Sequence, residues 1–148
     1  MTAIYDRVGI RFLYPQGWKV TDDDATAEPR NVALESPTGG TWELIVYTGL
    51  RDRAELAAEA LKAMQAEYEN IEVAERTVHF ADVEAIGYEL YFYHLDLLVS
   101  SRVFAAHFGD RTVLLLWQAE DREFDNLEPV FVAIATSLLN PDKFTPPD

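Results

Sequence analysis

Ile71-Glu-Val-Ala-Glu-Arg-Thr-Val-His-Phe80, Val83-Glu-Ala-Ile-Gly-Tyr-Glu-Leu-Tyr-Phe-Tyr-His94, Leu97-Leu-Val-Ser-Ser-Arg-Val-Phe-Ala-Ala-His-Phe108 and Thr112-Val-Leu-Leu-Leu-Trp-Gln-Ala-Glu120 follow one another with almost nothing between them. Across these segments the pattern has a period of two, and β-branched and aromatic residues are frequent, so each reads as a strand. Gly109-Asp110 suits a two-residue hairpin turn, and Leu95-Asp96 centres the turn before it. Those turns set the register: Phe108 faces Arg111, Phe104 faces Leu115, Arg102 faces Trp117, Glu89 faces Arg102 and Tyr88 faces Val103. Both turns then partition the side chains alike. One face carries Ile86, Tyr88, Leu90, Phe92, Val99, Val103, Ala105, Leu114 and Leu116. The other mixes Glu89, Tyr91, Tyr93, Leu98, Arg102, Phe104, Leu115 and Trp117. A one-residue slip would swap the faces of a strand, so the agreement supports the register.

A sheet with one wet face alternates cleanly between apolar and polar residues, and this one does not, which predicts partial cover on the mixed face as well. Two helices are available as covers. Asp52 with Glu55 forms a capping box, after which Leu56, Ala57, Ala60, Leu61, Met64 and Tyr68 recur at helical spacing. Near the C-terminus, Phe124, Leu127, Phe131, Ile134 and Leu138 form a second stripe, with Asp121 or Asp125 as its cap and Pro129 in its first turns.

Upstream, Gly9 to Tyr14 reads as a strand that stops at Pro15-Gln16-Gly17, and Trp18-Lys19-Val20 resumes as a short one. Asn31 to Ser36 and Thr41 to Thr48 form a hairpin around Pro37-Thr38-Gly39-Gly40. In the second strand of that hairpin, Trp42, Leu44, Val46 and Thr48 share a face, and Glu43, Ile45 and Tyr47 share the other. The expected fold class is α+β, an α-β-α sandwich. Its centre is a twisted antiparallel sheet of six to eight strands, with one amphipathic helix on each face. Residues 1–140 are read as a single domain and 141–148, with Pro141, Pro146 and Pro147, as a proline-rich tail.

The stretch Gly9-Ile-Arg-Phe-Leu-Tyr-Pro-Gln-Gly-Trp-Lys-Val20, and above all Tyr14-Pro15-Gln16-Gly17-Trp18, resembles the opening of the PsbP-like superfamily. The order that follows is similar too: strands, a central helix, a long meander, and a C-terminal helix ending in Ala135-Thr136-Ser137-Leu138. The resemblance implies the α-β-α sandwich. It also implies action by binding and assembly rather than catalysis, as in the extrinsic photosystem II subunit and the Ran-binding nuclear-import factor. It carries no functional residue over to this chain.

Composition narrows the function further. The 148 residues include 26 acidic and 12 basic side chains, a formal charge of 12 − 26 = −14, and the basic residues form no cluster. Such a surface repels a phosphate backbone and anionic lipid. There is no cysteine, which removes disulfides, thiolate metal sites and cysteine nucleophiles. No apolar run approaches the ~20 residues that span a bilayer. The N-terminus shows no signal-peptide pattern, so a cytoplasmic location is expected.

The candidate chemical motifs are weak. Asp22-Asp23-Asp24 is dense in carboxylates, but Thr21 to Arg30 lacks the glycine a calcium loop uses for its sharp turn, so a solvated loop is expected. Pro37 to Thr41 lies between strands without the Lys-Ser/Thr pair of a phosphate cradle. His79, His94 and His107 have no zinc-binding spacing; Glu84 opposite His107 is the one acid–base pair the register offers. No catalytic residue, metal or cofactor is expected. The aromatic residues carry the functional reading instead. Trp42, Tyr47, Tyr91, Tyr93 and Trp117, with Arg102, form the candidate partner surface of a non-catalytic binding or assembly module. The expected partner is a protein, with a homodimer as one such assembly. The alternatives are a carrier of a small apolar ligand, with a pocket between helix and sheet, and a histidine-dependent hydrolase.

Overall fold

A computed structural model of the chain describes residues 1–143. Nine strands and two helices follow in order: β1 (Thr2–Arg7), β2 (Ile10–Pro15), β3 (Lys19–Thr21), β4 (Arg30–Glu35), β5 (Thr41–Thr48), α1 (Arg53–Glu67), β6 (Glu72–Phe80), β7 (Val83–His94), β8 (Leu97–Phe108), β9 (Arg111–Glu120) and α2 (Asp121–Leu139). Seven strands make one antiparallel sheet in the order β3-β4-β5-β9-β8-β7-β6. β1 and β2 form a separate two-stranded hairpin, and β1 lies in a segment where the sequence pattern gave no strand.

The predicted registers hold across the meander: Glu89 pairs with Arg102, Tyr88 with Val103, Arg102 with Trp117, Phe104 with Leu115 and Phe108 with Arg111. The turns explain why. Gly109 adopts a φ of 61°, and Leu95 and Asp96 sit at 51° and 65°, the left-handed pair a tight hairpin turn demands. β5 enters the sheet beside β9, with Trp42 opposite Trp117 and Leu44 opposite Leu115.

The helices lie on opposite faces. α1 packs Leu56 and Ala57 on Leu90, Val103, Ala105 and Leu114, the fully apolar face. α2 packs Phe124, Phe131, Ile134 and Leu138 over Trp42, Leu44, Phe104, Leu115 and Trp117, the mixed face, where Phe80, Phe12 and Tyr5 complete the larger core. Asp52 caps α1 by accepting from the Glu55 N–H at 3.1 Å. The expectations for the start of α2 are corrected. Neither Asp121 nor Asp125 caps the helix: β9 runs into it directly at Glu120, which makes no capping bond with its side chain. Asp121 instead accepts from Ser100 Oγ at 2.7 Å. Because the helix starts that early, Pro129 falls in its interior and not in its first turns.

One loop also differs from expectation. Asp22 is not solvated: its carboxylate takes the Tyr5 hydroxyl and pairs with Arg7 at 3.2 Å and Arg30 at 3.4 Å, tying the β1–β2 hairpin to the sheet. The end of α2 and the first residues after it are pinned to the body of the fold. Asn140 donates to Phe80 O at 2.7 Å, Arg11 reaches Pro141 O at 3.1 Å, and Lys143 pairs with Asp82 at 2.6 Å. Residues 144–148 of the proline-rich tail lie outside the described residues.

Candidate functional site

On the mixed face the structure departs from the expected partner surface. Trp42 is 0% and Trp117 2% exposed, both beneath α2, so neither reaches a surface. Their burial follows from α2's bulk: Phe131 stacks on Trp117 at 6.2 Å between centroids, and Phe104 and Phe80 pack round the same indole. Arg102, 7% exposed, is covered as well. Its guanidinium meets Glu128 of α2 at 3.2 Å and Glu89 at 3.6 Å, and lies 4.5 Å from the Phe124 ring centroid and 5.4 Å from that of Tyr91. The charged half of this face is therefore a network shared with the helix above it. Tyr91 stays partly accessible at its margin, and Tyr93 stands 70% exposed at the β7–β8 hairpin, beside Leu95 and Leu97.

Tyr47 belongs to the other face, and there the sheet is open. α1 packs mainly on β7 and β8, leaving Ile45 and Tyr47 of β5 only half-buried and the same face of β4 and β3 open at Asn31, Glu35, Lys19 and Thr21. Its side chains are too short to do more: Ala57, Ala58, Ala60 and Ala63 occupy much of the helix. Two concavities of about 340 and 290 Å³ meet there at Met64 and Leu116. The inner one is floored by Ile45, Tyr47, Leu114 and Leu116 and walled by Ala60, Ala63, Glu59 and Glu67 of α1. The outer one runs over Glu43, Thr41, Gln118 and Ala33 to Glu35 and Lys19 at the sheet edge. Burial pushes the Tyr47 hydroxyl up from its ordinary value; Arg51, 4.7 Å from the ring centroid, opposes this, and the charges of Glu59, Glu28 and Glu43 add to it. The groove thus combines an apolar floor with a carboxylate rim. Of the six expected surface residues it contains Tyr47 on its floor, and Trp42 and Trp117 lie under the sheet beside it. Leu116, Met64 and Glu59 went unread as site residues. The available signal was the assignment of Leu116 to the fully apolar face, set against a helix too slender to cover seven strands.

A second concavity, about 420 Å³, lies between the β1–β2 hairpin and α2, lined by Leu13, Tyr14, Pro15, Pro129, Val130, Ala133 and Ile134. The Leu13 N–H donates to Ser137 Oγ at its floor, at 3.0 Å.

The histidines are dispersed. His107 Nε2 lies 2.8 Å from the Arg51 carbonyl, and His94 packs edge-on to Tyr68 at 5.3 Å. Glu84, expected opposite His107, pairs instead with Arg53 at 3.1 Å and lies 3.9 Å from His79, because β6 and α1 reach it first. Among the described residues no histidine has both a carboxylate and a hydroxyl within hydrogen-bond reach. No group of three or more His, Asp or Glu side chains there could hold a metal ion. No helix among them is long and apolar enough to cross a membrane.

This architecture, seven antiparallel strands between one helix per face with a leading hairpin, is the PsbP-like fold. Cyanobacterial PsbP (CyanoP) of Synechocystis superimposes with a TM-score of 0.68 at 13% identity, covering 92% of this chain and 90% of that one. A protein of unknown function from Pseudomonas aeruginosa, PA94, matches at 0.53 and 10% identity over 99% of both chains. LpqN of Mycobacterium tuberculosis, involved in cell envelope biogenesis, matches at 0.51 and 15% identity, covering 82% of this chain and 76% of that one. At these identities the likeness establishes the fold alone. No family model matches the sequence, and no curated protein does.

Proposed function

We propose that this chain is a non-catalytic binding or assembly module that engages a protein partner through the open half of its sheet beside α1. The observation that carries this reading is the joined groove at Met64 and Leu116. It exposes apolar side chains of two central strands in a fold whose opposite face is closed by a well-packed helix. The PsbP-like neighbours support a binding role in preference to a catalytic one. The test is site-specific photo-crosslinking in a lysate of the source organism, with the reactive group at Ala63 in the groove or at Ala133 on α2. Defined crosslinks from Ala63 and none from Ala133 are expected; capture from Ala133 alone, or from neither, would end the reading.

A second reading rests on the apolar concavity between the β1–β2 hairpin and α2, which has the size and lining to take a small apolar ligand. Native mass spectrometry of the purified chain, with Ala133→Arg as the blocked control, would show a bound small molecule lost in the variant. A bare mass for both would remove this alternative.

A further inference from the structure

The groove beside α1 has a rim of one dominant sign. Glu43 and Glu35 border it on the sheet and Glu59 and Glu67 border it on the helix, against two cations among the described residues, Lys19 at the far edge and Arg51 over the Tyr47 ring at the inner end. None of these four carboxylates is ion-paired among the described residues, and Glu43 accepts a hydrogen bond from the Asn31 amide at 2.9 Å. Between the two rims lies an apolar floor of Ile45, Leu116 and Met64. A lysine or arginine side chain matches this cross-section, because its aliphatic stem packs along apolar surface while its charged head reaches outward to carboxylates. An anionic or purely apolar segment would leave the rim unpaired or desolvated.

We infer that the partner segment seated in this groove is a basic amphipathic one, with leucine-like anchors on the Leu116 floor and lysines or arginines against Glu43, Glu59 and Glu67. This rests on the groove being the partner site, and the chemistry of the rim adds the class of partner. A chain of net charge −14 attracts any cation weakly, so localisation and loss on substitution decide the matter, not attraction as such.

The experiment is an amide NMR titration of the intact chain with a synthetic peptide of alternating leucine and lysine, and with its glutamate-for-lysine counterpart. Expected are shifts confined to α1 and to β4, β5 and β9 with the lysine peptide, suppressed by salt, and none with the glutamate peptide. The triple variant Glu43→Gln/Glu59→Gln/Glu67→Gln should bind roughly tenfold more weakly, as three rim charge contacts are removed. Ala63→Arg, at an exposed helical position that accepts arginine without loss of helix, should block the groove by bulk and like charge. Shifts scattered over the acidic surface, equal binding of the glutamate peptide, or unchanged affinity in the triple variant would overturn the inference. So would concentration-dependent shifts in the groove without peptide, which would assign it to a second copy of the chain. If Ala63 crosslinks to a partner while the lysine peptide leaves the groove untouched, the partner chemistry is wrong and the site stands. If Ala63 captures nothing, the site itself is at fault.

Discussion

Arg102 is only 7% exposed, and Glu89 from the neighbouring strand and Glu128 from the helix above pair with its guanidinium. Removing the guanidinium leaves Glu128 unpaired and Glu89 with Arg76 alone, and opens space beneath Phe124. Arg102→Ala should therefore cost about 2–4 kcal/mol, read as a lower denaturant midpoint at unchanged slope. Glu128 is 35% exposed in its side chain, so Glu128→Gln should cost less than about 1 kcal/mol; equal losses would show that the network is not what holds Arg102. Tyr5 makes the second prediction. Burial and its bond to Asp22 raise its hydroxyl above the ordinary tyrosine value, with Arg30 opposing. As pH rises past about 10, the unfolded chain therefore loses this proton before the folded one does, and stability falls. Tyr5→Phe should flatten that alkaline slope in pH-dependent unfolding, leaving the contributions of Tyr47 and Tyr68, which are raised in the same direction. Of these residues, the pairing of Arg102 with Glu89 and Trp117 was legible, because period and turns determine it. The burial of Asp22 was not: its partners Tyr5 and Arg30 come from strands on either side of the loop, and nothing local in an Asp-Asp-Asp run announces them.

Among the elements, β7 carries a constraint that periodicity cannot show. A Cβ on Gly87 would lie 1.8 Å from the Val103 carbonyl oxygen of β8, a backbone atom that cannot rotate away. Gly87→Ala should therefore cost about 3 kcal/mol or more, or fail to fold, since the whole β7–β8 ladder must spread to admit one methyl group. Thermal unfolding would show it, and a shift of only a degree or two would mean the strands part easily. Gly87 sits opposite Phe104, between Tyr88 opposite Val103 and Ile86 opposite Ala105. α2 shows the limit of reading caps from sequence. Its apolar stripe from Phe124 to Leu138 was correct, but its start was not, because β9 feeds the helix without a loop and Ser100 holds Asp121 from the adjacent strand. Strand β1 was missed for a related reason: its burial pattern has one buried residue, Tyr5, and its pairing with β2 depends on the turn at Val8-Gly9, both at positive φ.

For the molecule as a whole, the two helices are unequal. α2 buries seven residues, among them Phe124, Phe131 and Ile134, in the larger core, while α1 buries Leu56 and Ala57 alone. The apolar face of the sheet is consequently the one left partly open, and the mixed face, with its charges paired to α2, is the closed one. Which face was apolar could be read from the sequence; which was covered could not, because cover depends on the thickness of the helix laid over it. Local stability should follow this asymmetry, since elements with little buried apolar contact open independently of the rest. In native-state hydrogen exchange, amides of α2, β8 and β9 should exchange only through global unfolding. Amides of α1 should exchange at least tenfold faster, equivalent to about 1.4 kcal/mol less protection. A partner seated on Leu116 and Met64 would then close this gap, because it would supply the contacts α1 lacks and suppress the local opening. Equal protection in the two helices of the free chain would mean that α1 is already fully held, and that the groove is a fixed feature of the surface rather than an adaptable one.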